Sequence, residues 1–199
     1  FSMRALIVSL IFVFTLLFSS CGETITVPKP RSFPRVIYPE RTYVDFDTDY
    51  CSFGFQHPDY AQVVQKELFF DEAPSDPCWF NLEMPAFNGQ IHFTYYPIED
   101  FADWERRRDE GFRLAGFHNV RANYTDEIRI DRGPDFGGMA FDIEGEAASP
   151  FQFFVTDSTN HFVRGALYFN TQARPDSLAP VVAYVKEDIY KMLETFEWQ

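Results

Sequence analysis

Three side chains near residue 160 have the types that hydrolytic enzymes combine. Asp157, Ser158 and His161 could supply the orienting carboxylate, the nucleophile and the general base of a catalytic triad. A triad holds its base between nucleophile and acid, and the three groups usually come from separate elements of the fold. Here they share one short polar segment with Thr159 and Asn160. The sequence therefore favours a turn between two strands over a hydrolase site.

Other patterns that could support catalysis or metal binding are weaker still. The chain has no phosphate-binding loop, dinucleotide-binding, zinc-protease or nucleophile-elbow motif, and its 4 histidines are far apart in sequence. Asp45, Asp47 and Asp49 could offer three oxygen ligands to calcium, but the glycine and distal glutamate of an EF-hand loop are missing. The solvated start of a strand explains them more simply. We expect no catalytic residue, no bound metal and no cofactor.

The N-terminal segment has the composition of an export signal. Arg4 precedes an uninterrupted apolar run over residues 5–18, which is shorter than the about 20 residues of a membrane-spanning helix. Small residues then lead to Cys21, and this order resembles the lipobox of bacterial lipoproteins. The resemblance implies that residues 1–20 are removed and that Cys21 carries a diacylglycerol on its sulfur and an acyl chain, such as palmitate, on its amine. The alternative is an ordinary signal, or an uncleaved anchor, with a chance cysteine.

The remaining cysteines, Cys51 and Cys78, form an even pair in a chain that reaches an oxidising compartment, so they could form a disulfide bond. On the chain-entropy estimate, closing the loop between them would add about 3–4 kcal/mol to the free energy of unfolding. Two buried free thiols are the alternative. A metal site is disfavoured, because neither a Cys-x-x-Cys pair nor paired histidines accompany the two cysteines.

Charge and composition exclude several classes of protein. The formal charge is −13 at pH 7, and removal of the predicted leader, which holds one cation and no acid, makes the mature chain one unit more negative. This charge argues against nucleic-acid partners and against electrostatic adsorption to anionic lipid. A content of 19% aromatic residues, with 24 Phe, argues against a disordered acidic chain.

The mature chain divides into a tether and one domain. Residues 21–42 are predicted to form a semi-extended tether, because residues 22–40 are rich in proline, with the cations Lys29, Arg31 and Arg35 between the prolines. Residues 43–199 are long enough to form a single globular domain with a real core.

Alternation of apolar and polar residues predicts several strands in that domain. The clearest runs lie at residues 78–84, 91–96, 139–144, 152–156 and 162–169. A turn at Asn88-Gly89 suits a hairpin between the first two. Phe53 and Phe55 indicate an earlier strand, with residues 61–66 as its candidate partner.

Two segments have helical periodicity. Residues 98–115 have an apolar face interrupted by Gly111, and their arginines 106–108 are flanked by acids with which we expect intrahelical ion pairs. A C-terminal helix is predicted with Ser177 as its N-cap and Pro180 in its first turn. Its apolar stripe consists of Val182, Val185, Ile189, Leu193 and Phe196.

The order of strands, helix, strands and helix predicts an α+β fold with an antiparallel sheet and two main helices packed on it. This order resembles the Mog1/PsbP-like fold, as a two-layer or α/β/α sandwich.

Aromatic residues fall on both faces of the strands. If helices cover only one face, the other would expose rings and mark a partner surface; the alternative is a sheet covered on both sides. The candidate partner surface consists of Trp79, Phe154, Phe162, Arg164 and Tyr168.

Longer blocks of sequence carry a family resemblance. In chain order they are Pro28-Lys29-Pro30-Arg31, Pro77-Cys78-Trp79-Phe80-Asn81, residues 153–159, residues 161–170, residues 176–180 and residues 194–198. With these blocks the chain resembles the gliding motility lipoprotein GldD family over essentially its whole mature length. The resemblance implies a non-enzymatic component of the envelope machinery that moves surface adhesins and is tied to type IX protein secretion. It implies other proteins of that machinery as partners, and it assigns no catalytic residue.

Three functions are compatible with the sequence. The favoured one is an interaction subunit that docks through the sheet face and the strand at residues 162–170. The alternatives are an envelope enzyme acting through His161, Asp157 and Ser158, and a ligand-binding module with a pocket between the sheet and the C-terminal helix. Residues 22–24 lack the acidic cluster that resembles a surface-export signal, so we expect a lipid-anchored protein on the periplasmic side of the outer membrane.

Overall fold

The structure is a computed structural model of the chain, and it describes Met3 and residues 35–46, 48–68, 73–171 and 174–199. The chain divides into two compact units, Phe1–Phe33 and Pro34–Gln199, and the fold described below is that of the second unit. The predicted signal peptide apart from Met3, the predicted lipidation site Cys21 and the tether before residue 35 lie outside the described residues.

Within these residues the chain forms ten strands and two α-helices. The strands are β1 Tyr43–Phe46, β2 Phe53–Pro58, β3 Gln62–Val64, β4 Phe80–Met84, β5 Gly89–Pro97, β6 Ala122–Asp131, β7 Gly137–Gly145, β8 Phe151–Thr156, β9 His161–Phe169 and β10 Glu197–Trp198. The helices are α1 Phe101–Gly116 and α2 Pro175–Thr195. These elements confirm the predicted α+β fold with antiparallel pairing and two helices.

The strands form two sheets. Seven lie in the order β3-β4-β5-β9-β8-β7-β6, and β1, β2 and β10 form a smaller sheet with β2 in the middle. The strand within residues 61–66 pairs with β4 and not with β2, so its predicted partner is wrong; β2 pairs with β1 and β10 instead. The sequence pattern predicts no strand at β6, because this edge strand is largely solvated and has no sustained alternation.

One face of the seven-stranded sheet, here called the α2 face, packs against α2 and the smaller sheet. Phe93 of β5 stacks on Phe80 of β4 at 4.7 Å and on Phe55 of β2 at 5.4 Å between ring centroids. The predicted stripe of the C-terminal helix points into this layer, where Val185 and Ile189 are fully buried. Burial of each such side chain stabilises the fold by about 1.5–3 kcal/mol.

The opposite face, here called the α1 face, is covered by α1 at one end. Phe112 of α1 meets Phe141 and Phe154 edge-on, at 5.3 Å and 5.8 Å between centroids. A Cβ at Gly111 would lie 2.9 Å from the Phe154 ring, so this glycine lets the helix approach the sheet. Phe154 and Phe162 are 5% and 2% exposed. The expectation that these two rings belong to an exposed surface is therefore wrong, because helices cover both sides of the sheet.

The two helices begin differently. Asp100 caps α1 by accepting a hydrogen bond from the backbone N–H of Asp103 at 2.8 Å. α2 begins at Pro175, with Arg174 as its N-cap and no side-chain cap, so the predicted start at Ser177 is too late. Proline suits this first helical position because its φ is already helical and it has no N–H to leave unpaired.

The last residues of the predicted tether are part of the folded unit. Arg41 donates hydrogen bonds to the Asp188 carboxylate at 3.2 Å and to the Tyr184 carbonyl at 3.0 Å. The Tyr184 hydroxyl donates in turn to the Pro39 carbonyl at 2.6 Å. The folded unit therefore begins before Tyr43, since contacts with α2 hold the preceding residues in place.

The predicted disulfide between Cys51 and Cys78 is present, with 5.1 Å between the two Cα atoms. Both cysteines are buried. Cys51 precedes β2 and Cys78 precedes β4, so the bond joins the smaller sheet to the larger one on the α2 face.

Candidate functional site

The segment that contains the triad residue types is a turn between β8 and β9, as predicted. Asp157 accepts hydrogen bonds from the backbone N–H groups of Thr159 at 3.0 Å, Asn160 at 2.8 Å and His161 at 2.8 Å. Burial alone would raise the pKa of Asp157, but these hydrogen bonds outweigh it and lower the pKa. His161 Nδ1 lies 2.8 Å from the Tyr95 hydroxyl. The carboxylate therefore closes the turn, and the imidazole contacts a neighbouring strand.

Of the three alternating carboxylates, Asp45 and Asp49 lie within the described residues. Asp45 accepts a hydrogen bond from the Gln56 amide at 3.1 Å, while Asp47 lies outside the described residues. Across the ranges that the structure describes, no cluster of three metal-binding side chains is present. A search of the same residues finds no helix with the length and hydropathy of a membrane span.

A cleft of about 480 Å³ opens between α1 and the part of the α1 face that the helix leaves uncovered. Aromatic rings and two arginines form its walls and floor. The structure brings four of the five residues of the predicted partner surface to this cleft: Trp79, Phe162, Arg164 and Tyr168. The fifth, Phe154, is buried beneath α1. Whether these residues bind a partner stays a prediction.

Arg164 of β9 lies in the cleft beside uncharged groups. Its guanidinium donates a hydrogen bond to the Gln152 side-chain oxygen and is hydrogen-bonded to Tyr168. Burial lowers the pKa of Arg164, and nearby Tyr168, Tyr96 and Glu110 act in the opposite direction. The ion pairs among the described residues do not include Arg164. This cation is therefore partly desolvated without a carboxylate in direct contact.

Arg107 of α1 lies on the opposite wall, and its charge is matched. Its guanidinium carbon sits 3.9 Å from the centre of the Tyr96 ring, a cation–π contact. It also pairs with Asp103 at 3.5 Å and with Glu110 at 3.7 Å. These contacts confirm the intrahelical ion pairs predicted for the arginine run.

Two histidines near Arg164 are held in the neutral form at pH 7. Burial lowers the pKa of His92 to about 4, with further lowering by Lys66 and Arg164. Burial, and then Arg164, lowers the pKa of His118 as well. His92 Nδ1 lies 2.5 Å from the Asn81 side-chain oxygen. These imidazoles therefore add no positive charge to the region around the cleft.

The sequence does not reveal Arg107 or His118 as cleft residues. Both come from α1 and the short 3-10 turn after it, Phe117–Val120, and only the packing of α1 on the sheet places them near Arg164. No local periodicity carries that information. Arg164 itself could be found from the pattern, because it lies between apolar residues on a predicted strand.

A larger cavity of about 930 Å³ adjoins the cleft at Phe117, His118 and Tyr168. Leu178 and Val182 of α2 line its other side. It occupies the position of the pocket predicted between the sheet and the C-terminal helix. Its walls combine apolar side chains with charged side chains of both signs, among them Arg121, Glu144 and Glu146.

These features describe a disulfide-linked α+β domain with an aromatic and cationic cleft. The family model described as gliding motility lipoprotein GldD matches residues 23–198. The chain belongs to the gliding motility lipoprotein GldD family, which confirms the resemblance seen in the sequence blocks. Family membership makes it a membrane-anchored lipoprotein of the cell envelope in the context of gliding motility.

Among solved structures, the solution structure of cyanobacterial PsbP (CyanoP) from Synechocystis sp. PCC 6803 is similar. The similarity covers 92% of this chain and 99% of that one, with 10% sequence identity and a TM-score of 0.47. A comparison with curated proteins found no match.

Proposed function

We propose that the chain is a lipid-anchored, non-catalytic docking subunit of the gliding-motility machinery, and that it binds a protein partner through the cleft between α1 and the sheet. Family membership supports the motility context. The docking role rests on one observation: Trp79, Arg164 and Tyr168 surround a single open cleft. Tryptophan, tyrosine and arginine are the residues that most often dominate binding energy at protein interfaces.

The cleft walls are held in position before a partner arrives. The Trp79 indole donates a hydrogen bond to the Tyr95 carbonyl at 2.8 Å, and its ring meets Tyr96 edge-on at 5.4 Å. Such contacts lower the conformational entropy that binding would otherwise remove. The cleft volume also falls within the range of about 300–1,000 Å³ that is typical of ligand sites.

The anchor is part of the proposal. Removal of residues 1–20 and acylation of Cys21 would hold the domain at the outer membrane, on its periplasmic side, near other proteins of the motility and type IX secretion machinery. The formal charge of −13 disfavours nucleic acid as a partner. Replacing Cys21→Ser is expected to release the protein from the membrane and abolish motility, and a fully motile mutant would contradict this role.

A steric block of the cleft tests docking without depending on the chemistry of the partner. Leu114 lines the cleft, whereas Ala102 is exposed on the same helix and does not. In a deletion strain, Leu114→Trp is expected to restore the protein level but not gliding, and Ala102→Trp is the matched control that restores both. Crosslinking in intact cells, followed by pulldown and mass spectrometry, should show a partner that only the Leu114→Trp variant loses. Normal gliding and an unchanged crosslink in that variant would contradict the proposal.

A further inference from the structure

We infer that the cleft recognises a single carboxylate in an acidic segment of its protein partner, and that the Arg164 guanidinium binds it. The carboxylate would be an aspartate or glutamate side chain, or a chain terminus, next to an aromatic or aliphatic residue. This inference rests on the proposed docking function and names the chemistry by which that same cleft selects its partner.

The charges around the cleft leave one cation unmatched. Arg107 is paired with Asp103 and Glu110. Glu110, which also lines the cleft and acts electrostatically on Arg164, is shared between Arg107 at 3.7 Å and Arg113 at 3.3 Å. Arg164 therefore has a carboxylate in its surroundings but none in direct contact among the described residues.

Within the described part of the chain, the acceptors that contact Arg164 are neutral. Gln152, which is 1% exposed, turns its side-chain oxygen towards the guanidinium. The amide nitrogen of the same side chain has no hydrogen-bond partner in the described part of the chain. Burial without a counter-ion destabilises a cation, and the lowered pKa of Arg164 reflects that cost. Groups held in such unfavourable states concentrate at functional sites, where a ligand supplies the missing charge.

A carboxylate fits this arrangement better than a phosphate. Arginine presents two parallel N–H donors that match the two oxygens of a carboxylate. A phosphate monoester carries about −1.5 to −2 charges at pH 7 and is usually bound by a cluster of cations. Among the described cations that line this cleft, only Arg164 has no carboxylate at ion-pair distance. The rings of Trp79, Tyr96 and Tyr168 around it offer apolar area to the residue next to the carboxylate.

The charge of the whole chain sharpens this selection. With a formal charge of −13, most of the surface repels an acidic partner. An acidic segment would therefore be favoured only where the local charge is positive, and the cleft provides such a place. Long-range repulsion and a local cation together discriminate against incorrect modes of docking.

The test uses the mature lipoprotein in detergent micelles, with ¹⁵N-labelled arginine and tryptophan. The probes are the tripeptide acetyl-Phe-Asp-Phe-amide, the matched acetyl-Phe-Asn-Phe-amide and inorganic phosphate. We expect the Asp peptide to shift the Arg164 Nε–H and Trp79 indole resonances in a saturable manner. The Asn peptide should bind at least about tenfold more weakly, because it lacks the charge-assisted hydrogen bonds.

Variants of the arginine show whether the contact is direct. Arg164→Gln is expected to abolish the preference for the Asp peptide, and Arg129→Gln, at an exposed arginine on β6, should preserve it. Arg164→Lys keeps the charge but not the paired donors, so it should retain the preference with about tenfold weaker binding. This second variant keeps the test informative if the glutamine variant does not fold.

Equal binding of the Asp and Asn peptides, no binding of either, or tighter binding of phosphate than of the Asp peptide would each overturn the inference. Failure of the docking function would look different. If the Asp peptide binds through Arg164 while the Leu114→Trp strain glides normally, the carboxylate site stands and docking fails. If that strain cannot glide and no carboxylate peptide binds, docking stands and the carboxylate inference fails.

Discussion

The α2 face of the seven-stranded sheet is filled by rings that stack on one another, whereas the α1 face combines a smaller apolar patch with buried amides, an imidazole and a guanidinium. On the α2 face, Phe93 and Phe80 are each no more than 1% exposed. On the α1 face, Asn81 and Gln152 are equally buried, and both leave an amide nitrogen without a partner among the described residues.

The difference follows from what covers each face. The α2 face is covered by a 21-residue helix together with the smaller sheet, which the disulfide ties down. The α1 face has a 16-residue helix over one end, and the rest borders the cleft. The comparison indicates that the α2 face provides most of the stability, and under the proposed function the α1 face is less stable because it is built for recognition.

The largest expected effect lies at the centre of the α2 face. Phe93→Ala should lower the free energy of unfolding by about 3–5 kcal/mol, because it removes a buried ring and leaves a cavity. Phe101→Ala is the control, since Phe101 is 67% exposed and should change stability by no more than about 0.5 kcal/mol. Urea unfolding measures both. Similar values for the two variants would remove the basis for assigning stability to the α2 face.

The disulfide is expected to rank next. The double variant Cys51→Ser, Cys78→Ser should lose about 3–4 kcal/mol of unfolding free energy, because the unfolded chain regains the freedom of the closed loop. A reductant should lower the stability of the wild-type protein by a similar amount, and it should not change the stability of the double variant. A wild-type protein that is indifferent to reductant would show that the bond does not hold the smaller sheet.

Acid should weaken the fold through the α1 face. The pKa of His92 is lowered from 6.5 to about 4 by burial, so the unfolded state binds a proton that the native state excludes between these values. Stability is therefore fully present above about pH 6.5 and falls as the pH drops towards 4. Because the imidazole ring is partly solvated, we expect protonation of His92 to lower the free energy of unfolding by about 1 kcal/mol.

His92→Gln isolates this contribution from the other histidines. The pKa values of His57 and His118 are lowered as well, so both the wild-type protein and the variant should lose stability in acid. The loss should be smaller in the variant, because it lacks the contribution of His92. Urea midpoints at pH 7 and pH 5 give the comparison. Identical losses in the two proteins would show that His92 is readily protonated in the native state.

The smallest effect on stability is expected at the cleft. Arg164→Gln should change the free energy of unfolding by about 0.5 kcal/mol or less, or even raise it, because it replaces a desolvated cation with a neutral group. Thermal unfolding of the variant beside Arg129→Gln measures this. A loss comparable to that of Phe93→Ala would make Arg164 a structural residue and erase the contrast between the two faces.

Much of the fold can be predicted from local pattern. The runs containing Phe93, Phe141 and Phe153 alternate because each strand has two different faces, and the stripe through Val185 and Ile189 repeats with the period of a helix. The turn after β8 is equally local, since Asp157 bonds to the next few backbone N–H groups. The cysteine pair and the family blocks also needed no coordinates.

The sequence by itself thus determined the fold class, most of the strands, the C-terminal helix and the family, and it favoured a Cys51–Cys78 disulfide over two free thiols. Only the tertiary structure decided that α1 buries Phe154 and Phe162, and that Arg107 faces Arg164 across a cleft. The physical reason is that periodicity reports on the near neighbours of a residue, whereas a cleft depends on how separate elements pack. Arg41 and Asp188, in contact across 147 positions of the chain, show the same limit.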